Sequence, residues 1–355
     1  MVRAAWAPPM TAAPLLLRAP LAETDLAPRC LDFQVRVGRP ALTGADGAAP
    51  CVVVLTRTAD REIDQLSLRL AARGIPLLRL DSDRAGAEPV SYDLERDVLC
   101  TPDGDFRPVV AWARYFQPSA VAVGGDPRAA AYARDQWLPW ARTVLASPAA
   151  TVLDGPGAPD RVAQLVLARA AGLRTPATIV TTAPAEAARR LPGDGDLIVK
   201  TLGEHFVEPV PGRLTGLAPR RVTRAQLAGE HAGEPAPVIV QELVRATREL
   251  RVYAAGERLV AFAVTRGAPE ERWADGGGVR AATVHLPSAL ARTLRALVRR
   301  LGLDVCAFDL LDTPAGPVFL EVNAPCDWLW CEALAGCAPV SAAVRALVAD
   351  RFDAR

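Results

Sequence analysis

Residues 305–323 read VCAFDLLDTPAGPVFLEVN. Two apolar runs flank a Pro-Ala-Gly turn, so the stretch is predicted to be two strands of one hairpin. Side chains two apart on a strand share a face, which sets Glu321 and Asn323 side by side, with Asp309 opposite them across the hairpin. A carboxylate set among residues as apolar as those of AFDLL or VFLEVN is costly unless a cation is near. Two carboxylates and an amide oxygen on rigid strands make a hard, all-oxygen set, the kind that takes Mg2+ when phosphates supply the remaining ligands. The plain alternative is a solvent-facing edge hairpin, and the apolar flanks weigh against it.

Working outward, Asn323 is the only Asn of the 355-residue chain, and of its 41 basic residues only Lys200 is Lys, the other 40 being Arg. A compositional pressure against Lys and Asn leaves that pattern, and the positions where each survives are candidates for chemistry that Arg or Asp cannot do. Lys200 ends the apolar run DLIVK, predicted to be a strand. Its ammonium is compact enough to donate to phosphate oxygens in a confined place. A strand-end lysine that snorkels to solvent is the ordinary alternative, but a position indifferent to Arg would have become Arg here. Between Lys200 and the hairpin lies QEL followed by RELR, that is Gln241, Glu242 and Leu243, then Glu249 and Arg251. A strand ending in a hinge offers backbone groups to an adenine edge, and a carboxylate a few residues on can hold ribose hydroxyls.

The rest of the chain sets the frame. Forty-one basic against 40 acidic residues leave a net charge of +1, with the basic residues scattered, which excludes a protein working mainly by phosphate neutralisation on nucleic acid. Seven Cys without a C-x-x-C pair, and three isolated His, give neither a disulfide framework nor zinc spacing. No signal-peptide core and no run of 18 apolar residues occurs, so the expectation is a cytoplasmic protein with no membrane partner. Residues 1–49 read as an extension with at most a short strand, LDFQVRV (31–37). From Cys51, CVVVLT, the helical IDQLSLRLAARG and IPLLRLD make a βαβ unit in a parallel sheet. PVVAWARYF adds a strand, and residues 126–147 one helix of about five turns, closing an α/β domain at 50–148. Asp160 is the N-cap candidate of the helix DRVAQLVLARAAGL, which Gly172 stops. PVIVQEL, ELRVYAAG and RLVAFAV read as three antiparallel strands, SALARTLRALVRRLGL as an amphipathic helix and 338–352 as a closing helix. Two further domains are expected at 149–245 and 246–355.

A lysine strand, then QEL…RELR, then D…E-x-N, in that order, resembles the ATP-grasp superfamily. The ending VFLEVNAPCDWLW resembles one branch of it, the RimK-like ligases that install side-chain macrocycles in ribosomal peptides, the graspetide or microviridin-type synthetases. The resemblance runs from about Cys51 to the C-terminus and includes the GLRTP helix-to-strand step at 172–176. It implies an α/β (α+β) architecture in which a pre-ATP-grasp α/β domain precedes an ATP-grasp fold of two subdomains, with ATP between antiparallel sheets. It further implies Lys200 on the phosphates, Gln241, Glu242 and Leu243 at the adenine, Glu249 near the ribose, and Mg2+ on Asp309, Glu321 and Asn323. The γ-phosphate would pass to a substrate carboxylate, and a hydroxyl or amine would displace phosphate from the acyl phosphate. Arg251 and Arg280 match cationic positions facing the phosphates and the acyl phosphate, and Arg280 competes with a plain surface reading. The implied partner is a ribosomal precursor peptide, leader plus acidic core, or another carboxylate substrate; relatives are commonly homodimers.

Three departures from the family pattern stand out. Arg161 replaces the usual phosphate-binding lysine, residues 201–216 lack the glycine-rich lid, and Ala324-Pro325-Cys326-Asp327 stands where Pro-x-Gly-Gln is common. Two other readings fit the same ATP half-site: a ligase that joins free amino acids or adds one to a peptide terminus, and a degenerate fold that only binds peptide. The acidic cluster weighs against the last.

Overall fold

The computed structural model describes residues 22–25, 47–87, 89–155, 157–203, 206–210, 213–228, 236–265 and 278–354; the expected strand at 31–37 lies outside them. The chain divides into two compact units. One holds Pro176–Val207 and Thr215–Val244 with Met1–Glu23; the other holds Thr24–Thr175, Glu208–Leu214 and Arg245–Arg355. No helix among the described residues is long and apolar enough to cross a membrane.

After a short strand β1 (Ala22–Asp25), the second unit begins with β2 (Ala49–Thr56), α1 (Arg61–Ala71) and β3 (Leu77–Asp81). β2 pairs in parallel with β3, giving the expected βαβ unit. Asp60 caps α1 by accepting the Ile63 N–H, acidic residues fill the first turn, and Ile63, Leu66 and Leu70 form its buried stripe. Gly74 takes φ +71°, the left-handed turn that ends the segment. The sheet is completed by β4 (Ser91–Asp93), β5 (Val98–Thr101), β6 (Gly104–Ala113) and β7 (Thr151–Leu153), with β6 parallel to both β2 and β7. The helix expected over 126–147 is two helices, α2 (Pro127–Asp135) and α3 (Trp137–Leu145), which meet at Gln136. Pro139 has no N–H for the Asp135 carbonyl, so the first helix cannot run through. Next comes α4 (Arg161–Ala170). Asp160 holds its N-cap position, yet the Asp160 side chain makes no capping hydrogen bond. Gln164 anchors this turn instead, its Nε2 donating to the Pro159 carbonyl at 2.7 Å.

The first unit is an antiparallel sheet, β8 (Thr178–Thr181), β9 (Leu197–Thr201), β12 (Arg220–Val222) and β13 (Val238–Glu242), in the order β12-β9-β13-β8. Leu197, Val199, Val222, Val238 and Val240 pack with Ala187, Ala188 and Leu191 on one of its faces. The helix α5 (Pro184–Arg190) supplies Ala187 and Ala188. The stretch after Lys200 contains two strands, β10 (Phe206–Val210) and β11 (Arg213–Gly216), which join β1 in a three-stranded sheet.

The remaining elements return to the second unit: β14 (Arg248–Ala255), β15 (Arg258–Thr265), β16 (Arg280–Val284), α6 (Ser288–Leu301), β17 (Val305–Asp312), β18 (Val318–Asn323), α7 (Leu329–Ala335) and α8 (Pro339–Asp353). They build an antiparallel sheet in the order β16-β15-β14-β17-β18. Of the three strands expected together over 237–264, only β14 and β15 form a hairpin; PVIVQEL belongs to the first unit's sheet, paired with β8 and β9. One face of the five-stranded sheet, carrying Leu250, Val252, Ala254, Cys306, Phe308 and Leu310, packs on Leu290, Leu294 and Leu297 of α6 and on Leu165 and Ala168 of α4. Its other face, with Tyr253, Ala255, Phe262, Val305 and Ala307, shares a core with α1, α8 and the first sheet. Both faces are therefore covered at one end of the strands, at about 1.5–3 kcal/mol per fully buried large apolar side chain.

Candidate functional site

The second face of the five-stranded sheet changes character along its length. Where Val305 and Ala255 stand it is core; farther along β17 and β14 come Asp309 and Arg251, paired directly in the register, with Glu249 two residues on. Glu321 lies opposite Asp309, and Asn323 opposite Ala307. Asp309 is thus flanked by Phe308 and Leu310 in sequence but not in space, because those two point to the other face. A register shift between Asp309 and Leu310 leaves Leu320 as an extra residue on β18. That bulge lets Phe319 enter the core under α6 while Glu321, two residues on, joins Asp309. Strict alternation would have forced Phe319 and Glu321 onto one face.

Arg251 is the cation that these carboxylates need. Its Nη1 donates to both Asp309 oxygens at 2.8 Å, and its Nη2 stands 3.5 Å from Asp327 Oδ1. The guanidinium lies 5.3 Å from the centre of the Tyr253 ring. Burial opposes its charge, but Asp309, Tyr253 and Asp327 outweigh burial and hold the Arg251 pKa well above its ordinary value. Asn323 Nδ2 donates to Asp309 Oδ2 at 2.9 Å, which orders the pair of side chains without adding a third negative charge. Arg161, at the start of α4, reaches Glu321 with its Nε 3.3 Å from Oε2. Gln164 ties the same turn to β18 by accepting the Val322 N–H at 2.8 Å. Arg251, Asp309 and Asn323 form one hydrogen-bonded group and Arg161 with Glu321 another, and the register of β17 and β18 sets Asp309 and Glu321 opposite each other. Asp309, Glu321 and Asn323 are the three residues the sequence named as candidates for Mg2+.

Arg280 stands apart from them. It lies on the edge strand β16, opposite Thr265 of β15 and on the face away from Arg251, and is exposed. In the first unit, Lys200 lies opposite Ile239 and Gln241 opposite Ile198, so Lys200 and Gln241 share the face away from the small core. Gln241 is buried there, its Nε2 donating to Thr178 Oγ1 at 2.9 Å. Glu242 is on the other face by the same alternation, where its carboxylate accepts the Ala177 N–H at 3.0 Å. The Leu243 N–H donates to the Asp196 carbonyl at 3.1 Å.

The sequence reading missed the supports behind this cluster. Arg114 and Asp60 form an ion pair with no exposed side-chain surface, Nε to Oδ2 at 2.8 Å. The Arg114 guanidinium lies 4.7 Å from the Trp112 ring centre and 5.1 Å from those of Tyr115 and Trp328. Burial works against that charge, yet Asp60 and its other neighbours raise the Arg114 pKa. Asp154, in the Gly/Pro-rich joint, accepts the N–H groups of Asp304 and Val305 at 2.8 and 2.7 Å and the Trp112 indole N–H at 2.6 Å. The joint is anchored at the root of β17. Its only signal was a lone Asp in a glycine-rich turn, too common to single out.

No family profile matches the chain. In sequence it is similar to a probable alpha-L-glutamate ligase 1 of Pseudoalteromonas atlantica, 34% identical over 95 residues, which are 26% of this chain and 32% of that protein. The match thus spans about a third of the relative's length. In structure the chain is similar to the macrocyclase MdnC of Microcystis aeruginosa bound with precursor peptide MdnA, at a TM-score of 0.69 and 21% identity over 84% of this chain and 99% of that one. It is also similar to a Chryseobacterium gregarium RiPP-associated ATP-grasp ligase in complex with ADP and a leader and core peptide, at 0.70 and 20% over 85% and 97%. The ATP-grasp ligase PsnB, complexed with minimal precursor, Mg and ADP, gives 0.64 and 20% over 85% and 98%. At these identities the likeness speaks for the fold, and the chain has the ATP-grasp fold that its motif order implied.

Proposed function

We propose that the chain is an ATP-dependent carboxylate–amine or carboxylate–alcohol ligase that acts on a ribosomal precursor peptide, leader plus acidic core, and closes its side chains into rings. The observation that carries this reading is the convergence of Asp309, Glu321, Asn323 and Arg251 on one face of β14, β17 and β18. The fold adds support, since solved structures similar to it hold ADP, Mg and precursor peptides. Asp309, Glu321 and Asn323 would hold Mg2+, which supplies charge neutralisation at the transferring phosphate. By the family resemblance, Lys200 would donate to the phosphates of ATP, Gln241, Glu242 and Leu243 would hold the base, and Glu249 the ribose. Arg251, already fixed between carboxylates, is the cation for the acyl phosphate. Arg280, exposed on the opposite sheet face, is left outside this assignment. Chemistry of this kind needs positioning and electrostatics rather than a protein nucleophile. Such a ligase works in the cytoplasm, where ATP is made available.

Incubation with Mg·ATP and candidate acidic peptides, read by intact mass, tests the reading. Release of ADP with loss of one water per bond supports macrocyclisation. The likeness to a glutamate ligase favours a second reading, addition of an amino acid, and a gain of one residue mass selects it. Tight peptide binding without ATP turnover overturns both.

A further inference from the structure

The four residues after Asn323 end in Asp327, and the backbone around Asp327 is fixed from several sides. Arg114 Nη2 donates to the Cys326 carbonyl at 3.0 Å, and the Tyr253 hydroxyl donates to the Asp327 carbonyl at 2.9 Å. The N–H groups of Trp328 and Leu329 donate to Glu62 Oε1 at 3.1 and 3.2 Å. Arg114, Tyr253 and Glu62 are all buried, and so are Cys326 and Trp328 on either side. The outcome of so much anchoring is one open carboxylate: the Asp327 side chain is 61% exposed. Its Oδ1 is 3.5 Å from Arg251 Nη2, while Arg251 Nη1 holds both oxygens of Asp309. A rigid turn therefore presents an anion one guanidinium away from the proposed metal ligands. A side chain needed only to neutralise Arg251 would have no call for such a turn, because Asp309 already does so at shorter range.

We propose that Asp327 selects the acceptor: it binds the ammonium of a substrate lysine and takes one proton from it, freeing the lone pair that attacks the acyl carbon, so that the ring bond is an amide. This assignment rests on the ligase reading above. A lysine side chain, with an ordinary pKa of about 10.4, arrives charged and is concentrated by an anion, whereas a serine or threonine hydroxyl is neutral and is not. The bonds balance as follows. A substrate carboxylate oxygen attacks the γ-phosphorus of ATP and ADP leaves; the nitrogen then attacks the acyl carbon and the bond from that carbon to the phosphate oxygen breaks. Of the two protons the ammonium gives up, Asp327 takes one and releases it to solvent, and the other leaves with the phosphate as HPO4(2−).

The test uses the full chain, Mg·ATP and two synthetic glutamate-rich peptides that differ only in one acceptor, lysine or threonine, with hydroxylamine in parallel to capture acyl phosphate as hydroxamate. The expected result is loss of one water from the lysine peptide, giving a bond that survives mild alkali, at a rate about tenfold or more above the threonine peptide. Asp327→Asn, which keeps an oxygen toward Arg251, should erase most of that preference, and Asp327→Glu should restore part of it. An alkali-labile ring on threonine at an equal rate, or a preference unchanged in Asp327→Asn, overturns the assignment. Hydroxamate formed while neither peptide closes also overturns it and leaves the ligase reading standing. No release of ADP with any peptide or with hydroxylamine overturns the ligase reading itself.

Discussion

Asn323 illustrates what a single surviving residue can mean. A metal ligand could be Asp as well as Asn, but Asn323 also donates to Asp309 Oδ2, and an aspartate there could not donate and would set a third negative charge against Asp309 and Glu321. Asn323→Asp is therefore expected to lower Mg2+-dependent ATP turnover at least tenfold, read as initial rates of ADP release across a Mg2+ titration. Full activity at any Mg2+ concentration would show that the hydrogen bond is dispensable. Lys200→Arg carries the parallel prediction for the lone lysine: weaker nucleotide binding, by about tenfold or more, seen as a higher Kd for Mg·ADP in calorimetry. At this scale the sequence was informative because composition made two residues rare, and both rarities fell on motif positions. It was uninformative about the arginines, where 40 copies conceal the one that pairs with Asp309. Arg251, buried on an interior strand, and Arg280, exposed on the edge strand, occupy opposite faces of the sheet, and that follows from strand register.

At the scale of elements, the hairpin, the βαβ unit and the amphipathic helix α6 were legible because their periods are local. Three features were not. The bulge at Leu320 reverses the face expected for Phe319, and strand exchange puts β13 and β14 in different sheets; both depend on partners remote in sequence. The turn from β18 into α7 is a third case, since it relies on Glu62 from α1, 266 residues from Trp328. Burial above all, then Asp60 and Asp327, raise the Glu62 pKa, against the lowering effects of Arg114 and the Leu329 N–H. A carboxyl whose pKa is raised by folding holds its proton more tightly when folded. Its contribution to stability is complete below the unfolded value of about 4.3 and is lost as pH rises through the raised one. Glu62→Gln keeps an acceptor for Trp328 and Leu329 yet does not ionise. Its urea midpoint relative to the parent is expected to improve steadily as pH climbs above about 4.3, and a constant difference across that range would refute the assignment.

For the whole molecule, the second unit joins an α/β layer near the N-terminus to the antiparallel sheet near the C-terminus, and charged groups sit at the seam. Arg114 and Asp60 are 54 residues apart, and Arg114 also grips Cys326, beyond the hairpin of β17 and β18. Neither residue stood out in a chain with 40 Asp and Glu and 41 Lys and Arg; only folding shows that this pair lies out of water. Removing one partner of a buried ion pair leaves an uncompensated charge, at about 3–5 kcal/mol. Asp60 also caps α1 and accepts the Thr56 hydroxyl at 2.6 Å, so Asp60→Asn keeps a polar group in place while removing the charge. The described tryptophans, at 112, 137, 140, 328 and 330, all lie in the second unit, and two of them stack on Arg114. Of the seven Trp in the sequence only Trp6 falls in the ranges of the first unit, so tryptophan emission follows mainly the second, and Asp60→Asn should shift its urea midpoint downward by the equivalent of about 3 kcal/mol or more. Because the same seam holds both layers, the shift should come as one transition, not as early loss of one layer. Replacing the pair together, Asp60→Asn with Arg114→Met, removes both charges and should recover a large part of the lost stability. If the double variant is no more stable than Asp60→Asn alone, the pair contributes through its hydrogen bonds to Thr56, Ile63 and Cys326 rather than through charge, and the seam is held by shape.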